Sequence, residues 1–399
     1  MNQRFSTHGF STIKLVVTSA LAALLLGFTT RPGVALNGRV PSNDWDREGA
    51  AKYLDERMDS WFAKAKKLKT GQGETMCVSC HTTLPYVLAR PSLRRVMQVN
   101  AATPQEVRLR EEATRRVENY GAKQPLYDHT ESKKAESRGT EAVLNALILV
   151  SADSTHRRRV LSAPTQQAFT QLWEAQRTDG SWDWLDFGLE PFETVDGAYY
   201  GATLAALAIG TAPGKRSDAE AKAGAAKLRR YLQVQYATQR LFNRAWLLLA
   251  ATRWPDLLTK AQRATLITEI ESRQREDGGW ALATLGAWRW SKTTAAPHAP
   301  GTLDAALLAK SDGYATGLIV YTLRQAGFPA KHPAVSKGLG WLRANQYKVQ
   351  IGPSEWSAWR AHSLNFDREH GGDKGEPWRR MFMSDSATAF AVLALSASD

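Results

Sequence analysis

Four segments of this chain repeat one pattern, an acidic residue followed by a small and apolar run of helical length. They are Glu141 before AVLNALILV, Asp196 before GAYYGATLAALAIG, Asp312 before GYATGLIVYTLRQAG and Asp385 before SATAFAVLALSA. An acid at the start of a helix complements the positive end of the helix dipole and caps free amides. Each run is apolar on nearly every side, so each helix must be buried. Between them lie segments of another kind, amphipathic and rich in charge: Thr165 to Arg177, Ser217 to Tyr236, Thr259 to Arg275 and Pro333 to Gln346. These should face solvent on one side.

Counted from the amino end, the helices fall into six outer–inner pairs: 49–69 with 80–98, 105–119 with 139–151, 164–177 with 195–210, 217–236 with 240–253, 259–275 with 312–327, and 333–346 with 384–397. No convincing strand run interrupts them. The expected class is therefore all-α, an α/α toroid of about six helix pairs in which an outer ring wraps an inner one. An open solenoid of helix pairs is the rival architecture, and six pairs favours closure. Hydrophobic residues make up 43% of the chain, ample for a core, and no linker-like stretch divides residues 36–399.

The only two cysteines stand in Cys77-Val78-Ser79-Cys80-His81, the spacing that attaches a c-type haem. In C-x-x-C-H each thiol adds to a haem vinyl group and the histidine supplies the proximal nitrogen to iron. If the segment is helical, positions i, i+3 and i+4 share one face, so Cys77, Cys80 and His81 address one porphyrin while Val78 and Ser79 point away. One covalent haem c is the expected cofactor. Two other readings use the same residues: a strained local disulfide with His81 merely nearby, and zinc. A structural zinc site needs four ligands, and no second C-x-x-C or H-x-x-x-H exists.

The amino terminus reads as an export signal, residues 1–35, with Arg4 and Lys14 before an apolar run from Leu15 to Phe28 and Gly33-Val34-Ala35 as a small-residue cleavage site. The run is too short for a comfortable membrane span, and no later stretch is long enough. The expected location is periplasmic or secreted, which suits the motif, because proteins that resemble c-type cytochromes receive their haem outside the bacterial cytoplasm. The formal charge is +13, and removal of Arg4, Lys14 and Arg31 with the signal leaves +10. This excess is dispersed over Lys64, Lys66, Lys67, Lys69, Lys133-Lys134, Arg157 to Arg159 and Arg379-Arg380. It suits acidic partners or anionic surfaces, and export argues against a nucleic-acid partner.

Two inter-helix loops carry a sharper signal, Gln176-Arg-Thr-Asp179-Gly180-Ser-Trp182 and Gln274-Arg-Glu-Asp277-Gly278-Gly-Trp280. They resemble the Q-x-x-D-G-x-W repeats of the squalene–hopene cyclase and prenyltransferase superfamily. A third loop, Gln346 to Trp356, keeps the glutamine and tryptophan but lacks D-G. The resemblance implies an α/α toroid over roughly residues 49–399, with Gln176, Trp182, Gln274 and Trp280 tying an outer helix to its neighbour. It does not bring the family's chemistry. The D-x-D-D acid of the hopene cyclases and the D-D-x-x-D magnesium motif are absent, Asp183, Asp186 and Asp196 being the nearest substitutes, and the cysteines are committed elsewhere than to a prenyltransferase zinc.

On this count the haem motif replaces the first repeat's loop, at the mouth of an inner helix. Outer-to-inner loops open on one end of a toroid, so the distal iron-ligand candidates on that end are His129, His298, His362, His370, Met381 and Met383. His156 and His332 fall on the opposite connections, and Met97 lies at the far end of the haem-bearing helix. The long loops 281–311 and 347–383 are candidate site walls. Their tryptophans, Trp288, Trp290, Trp356, Trp359 and Trp378, are placed to shield a porphyrin. The leading expectation is an exported mono-haem protein serving electron transfer if His or Met fills the sixth position, or haem-dependent oxidoreductase chemistry on an apolar ligand if it stays open. Its partner would be a redox protein or a small apolar molecule. Two further readings are a haem-free, terpene-cyclase-like or lipid-modifying enzyme using Asp196 or Asp312, and a toroid that binds an apolar molecule or glycan.

Overall fold

The alternating segments become twelve α-helices among the described residues of the computed structural model, which are 44–70, 73–120, 125–155, 160–212, 219–288, 308–351, 354–365 and 381–397. The expected export signal lies outside the described residues, as do His156, His298 and His370. The odd-numbered helices are α1 (Arg47–Lys64), α3 (Pro104–Glu118), α5 (Ala163–Glu174), α7 (Ala219–Gln235), α9 (Lys260–Ser272) and α11 (Pro333–Ala344). The even-numbered ones are α2 (Thr83–Val96), α4 (Glu131–Thr155), α6 (Gly197–Thr211), α8 (Leu241–Ala251), α10 (Gly313–Gln325) and α12 (Phe382–Ser396). No helix among the described residues is long and apolar enough to cross a membrane.

Burial separates the two sets as their patterning requires. Every residue of α8 except Arg244 is buried, whereas α9 buries only Leu266 and Ile270. The even helices pack in order, α2 on α4, α4 on α6, α6 on α8, α8 on α10 and α10 on α12, and α12 packs on α2. At α10 and α12 the backbones nearly touch: a Cβ on Gly317 would lie 2.6 Å from backbone atoms of Phe390 and Ala391. Aromatic side chains from these helices meet one another, with ring centroids 5.3 Å apart for Tyr200 and Trp246, 5.4 Å for Trp246 and Phe390, and 5.5 Å for Tyr314 and Phe390.

The glutamine–tryptophan loops act through two hydrogen bonds from each glutamine and one from each tryptophan. Gln176 Nε2 donates to Gly180 O and, on α7, to Gly224 O, while Gln274 Nε2 donates to Gly278 O and, on α11, to Ala334 O. Trp182 and Trp280 donate from Nε1 to Leu172 O and Ile270 O, four residues before the respective glutamines. Gly180 and Gly278 have φ of 96° and 89°, a region where other residues are strained. The third loop repeats the scheme with a correction. Its tryptophan is Trp359, not Trp356, because Trp359 Nε1 donates to Leu342 O, again four residues before Gln346. Gln346 exchanges hydrogen bonds with the backbone of Asp46, the N-cap of α1, at 2.8 and 2.9 Å, joining the end of α11 to the start of α1.

An antiparallel hairpin separates Gln346 from Trp359: β3 (Tyr347–Ile351) pairs with β4 (Ser354–Ala358). A second hairpin, β1 (Lys67–Thr70) with β2 (Gly73–Met76), stands between α1 and Cys77. The expectation of no strands is thus corrected. Strands of four and five residues offer only two or three residues per face, the lower limit at which a period-two pattern registers in sequence. Replacing Trp359 by phenylalanine should cost about 1–3 kcal/mol, because Leu342 O loses its donor in a dry site, whereas Trp356→Phe should stay within about 0.5 kcal/mol. Denaturant titration of both variants checks this, and equal losses would show that Trp359 does not complete the repeat.

The acidic residues that marked the buried helices divide into different roles. Asp312 caps α10 as expected, accepting from Tyr314 N and Ala315 N, and also from Leu282 N. Asp196 stands at the start of α6 without a capping bond and pairs with Arg240 at 2.9 Å. Glu141 lies inside α4, which starts at Glu131, and there pairs with Arg116 and accepts from Leu126 N and Ser137 Oγ. Asp385 sits in the first turn of α12 and pairs with Arg57 of α1. A buried carboxylate needs a cation or several donors: arginines serve Glu141, Asp196 and Asp385, whereas backbone amides serve Asp312.

Candidate functional site

The haem-type motif is delivered by the first hairpin and ends where α2 begins. Cys77 N donates to Lys66 O at 2.9 Å, closing the hairpin, and residues 77–79 run without helical structure. Ser79 then organises the turn into α2. Its Oγ accepts from Thr82 N and Thr83 N at 3.2 Å each, and Leu84 N donates to its carbonyl. The expectation of a helical motif is corrected: α2 starts at Thr83, so Cys77, Cys80 and His81 precede the helix. Ser79 and Thr83 cap one another across this turn, competing with earlier helical hydrogen bonds. Two contacts pin the segment, Trp61 Nε1 to Cys77 O at 2.8 Å and Ser386 Oγ to His81 O at 2.9 Å.

Cys77 and His81 face a cavity of about 430 Å³. Trp61, Phe382 and Met383 line it beside the motif, and Tyr127, Phe187, Leu189, Phe192 and Glu193 line it as well, with Lys64 and Lys66 among its lining residues. The segment carrying Phe192 and Glu193 is fastened from three directions. Asn365 exchanges hydrogen bonds with the Glu190 backbone, Arg240 pairs with the Glu190 carboxylate at 2.7 Å, and Trp184 Nε1 donates to Phe192 O. Lys66 holds its ammonium 4.3 Å from the centre of the Tyr127 ring, a cation–π contact.

His81 is held on its face and its edge. Its ring stacks on Phe382 with centroids 3.9 Å apart and planes 21° apart, and Trp61 meets it edge-on at 5.2 Å. Nδ1 lies 2.9 Å from Thr82 Oγ1, which in turn donates to Asp385 Oδ2 at 2.7 Å. Arg57 donates to both oxygens of Asp385, and Tyr53 donates to Oδ1 at 3.0 Å. Burial raises the Asp385 carboxyl above its ordinary pKa, against the opposing pull of Arg57, Thr82 and Tyr53.

Cys77 and Cys80 are not joined in a disulfide. Burial pushes Cys77 up to about 12 and Cys80 well above its ordinary value, with the charge of Glu193 adding to each, so neither is a thiolate nucleophile near neutral pH. Cys80 is 1% exposed and does not line the cavity. Among the described residues no group of three His, Cys, Asp or Glu side chains converges as a metal-ion site.

Burial also pushes the Glu193 carboxyl up to about 7, against Lys133, and that of Asp312 up to about 6, against three backbone donors. Both folded values exceed the ordinary ones, so the folded protein binds more protons here than the unfolded chain. Their contribution to stability is full below the ordinary carboxylate range and is lost as pH rises through about 6 to 7. Glu193→Gln should therefore match the wild type near pH 4 and exceed it in stability near pH 8. Unfolding midpoints at the two pH values measure the difference, and a variant less stable than wild type at the higher pH would contradict the assignment.

Of the distal-ligand candidates, Met383 alone among the described ones lines the cavity. His129 is exposed, and half-buried His362 and Met381 are not in the cavity wall. Trp290 and Trp378 fall outside the described residues, and Trp288, Trp356 and Trp359 do not line the cavity, whereas Trp61 does. Asp196 and Asp312 are engaged in the ion pair and the helix cap, which lends no support to a carboxylate-driven cyclase. Sequence reasoning missed Thr82, Glu193 and the pairing of Arg57 with Asp385, because only the fold brings them to the motif. Arg57 and Asp385 stand 328 positions apart, so no local pattern reveals the pair.

Compared with known proteins, the chain matches no family model and no curated protein.

Proposed function

We propose that this chain is an exported mono-haem c-type protein on an α/α toroid of about six helix pairs, serving electron transfer. The order of packing from α2 round to α12 and back to α2, and the hydrogen bonds from Gln346 to Asp46, support the toroid. One observation carries the haem reading: Cys77 and His81 face one cavity walled largely by apolar and aromatic side chains, and the imidazole is fixed against Phe382. Cys77, His81 and the cavity wall suit the group, whereas Cys80 lies outside the wall. A flat apolar macrocycle suits the wall, and Lys64 and Lys66 would pair with its propionates.

When bound, the haem supplies one-electron redox chemistry at its iron. Cys77 and Cys80 would hold it as thioethers, and His81 and Met383 would be the candidate iron ligands. Attachment at Cys80 requires the turn at residues 80–82 to carry that thiol toward the cavity. The neighbouring segment would set Phe192 and Glu193 beside the group. The proposed location is periplasmic or secreted, with an acidic redox protein as partner. The test is to express the full chain with a haem-maturation system and stain a denaturing gel for peroxidase activity. A stained band at the mass of the chain is expected, and an unstained band of the same protein would overturn the reading.

A further inference from the structure

We infer that Thr82 and Asp385 are positioning residues that keep His81 in the Nδ1–H tautomer and present its Nε2 lone pair for ligation, an inference that rests on the haem reading above. The argument is a proton count. A threonine hydroxyl has one proton to give. Thr82 Oγ1 lies 2.7 Å from Asp385 Oδ2 and 2.9 Å from His81 Nδ1. Arg57 is 4% exposed, stays protonated and donates to both oxygens of Asp385, so the carboxyl is an anion with no proton to offer. Thr82 must therefore donate to Asp385 and accept from Nδ1–H. In the other tautomer two lone pairs would face each other, and the half-buried hydrogen bond between His81 and Thr82 would be lost.

The same chain of donors has an electronic consequence. An anion behind the hydroxyl polarises the Nδ1–H bond and strengthens Nε2 as a donor, as outer-shell carboxylates do for metal-bound histidines. Phe382 stacks on the ring and Trp61 meets its edge, which restricts its reorientation. Arg57, Thr82 and Asp385 come from α1, the turn before α2 and α12, so the arrangement depends on three segments meeting.

The test uses the full chain labelled with 15N-histidine, first without haem and near pH 8, above the ordinary histidine range. The His81 signals, assigned by their loss in His81→Gln, are expected to show a protonated Nδ1. Thr82→Val, which keeps the shape and removes the hydroxyl, should shift them toward the Nε2–H pattern, and Thr82→Ser should restore them. An Nε2–H pattern in the wild type, or no change in Thr82→Val, would overturn the inference. In the haem-loaded chain the reduction potential should rise in Thr82→Val and return toward the wild-type value in Thr82→Ser. An unchanged potential would overturn the electronic consequence. A wild type that takes up no haem would overturn the haem reading, while the tautomer is decided by the haem-free spectra.

Discussion

Asp385→Ala is expected to lower the stability of the chain by about 3–5 kcal/mol, the range for removing one partner of a buried ion pair. Arg57 and Asp385 are 4% and 2% exposed, and the carboxylate accepts from Arg57, Tyr53 and Thr82. Deleting it leaves a guanidinium buried without its counter-ion and removes the acceptor of two hydroxyls. It also cuts the tie between α1, α12 and the turn before α2. The variant should show a large fall in its denaturant midpoint, and replacing both partners, as in Arg57→Met with Asp385→Leu, should recover most of the loss. A loss below about 1 kcal/mol would mean that water reaches Arg57 in the folded protein.

Cys77→Ala with Cys80→Ala should abolish covalent haem, leaving an unstained band of normal abundance on the denaturing gel. Each single variant should retain one thioether and a weaker stain. The folded structure tolerates these changes, because each removes a single sulfur, at a cost of about 1 kcal/mol, comparable to one buried methylene. Loss of stain therefore reads attachment rather than folding, provided that the variants' unfolding midpoints stay close to the wild type. A stain that survives in the double variant would place the haem elsewhere.

Much of the helical framework was legible in the residues themselves. The runs after Asp196 and Asp312 became α6 and α10 within one or two residues of their expected starts, because an all-apolar helix announces its own burial. The glutamine and tryptophan of the two D-G loops were equally legible. In the third loop the hairpin from Tyr347 to Ala358 displaced the tryptophan to Trp359, and the nearer Trp356 was the wrong choice. The motif at residues 77–81 was found by spacing, but its local conformation was not, since Ser79 and Thr83 bond to each other and delay the helix.

The sequence by itself determined which segments are helices, which of them must be buried, and where two thiols and an imidazole adjoin. Those properties depend on neighbours within a few residues, and periodicity and spacing record them directly. Only the tertiary structure decided that Asp385 serves Arg57 as a counter-ion and reaches His81 through Thr82, rather than serving its own helix as a cap, and that Glu193 and Met383 border the cavity. The physical reason is that a buried charge is satisfied by whichever donor the packing brings within about 3 Å, and a one-dimensional pattern carries no information about that distance.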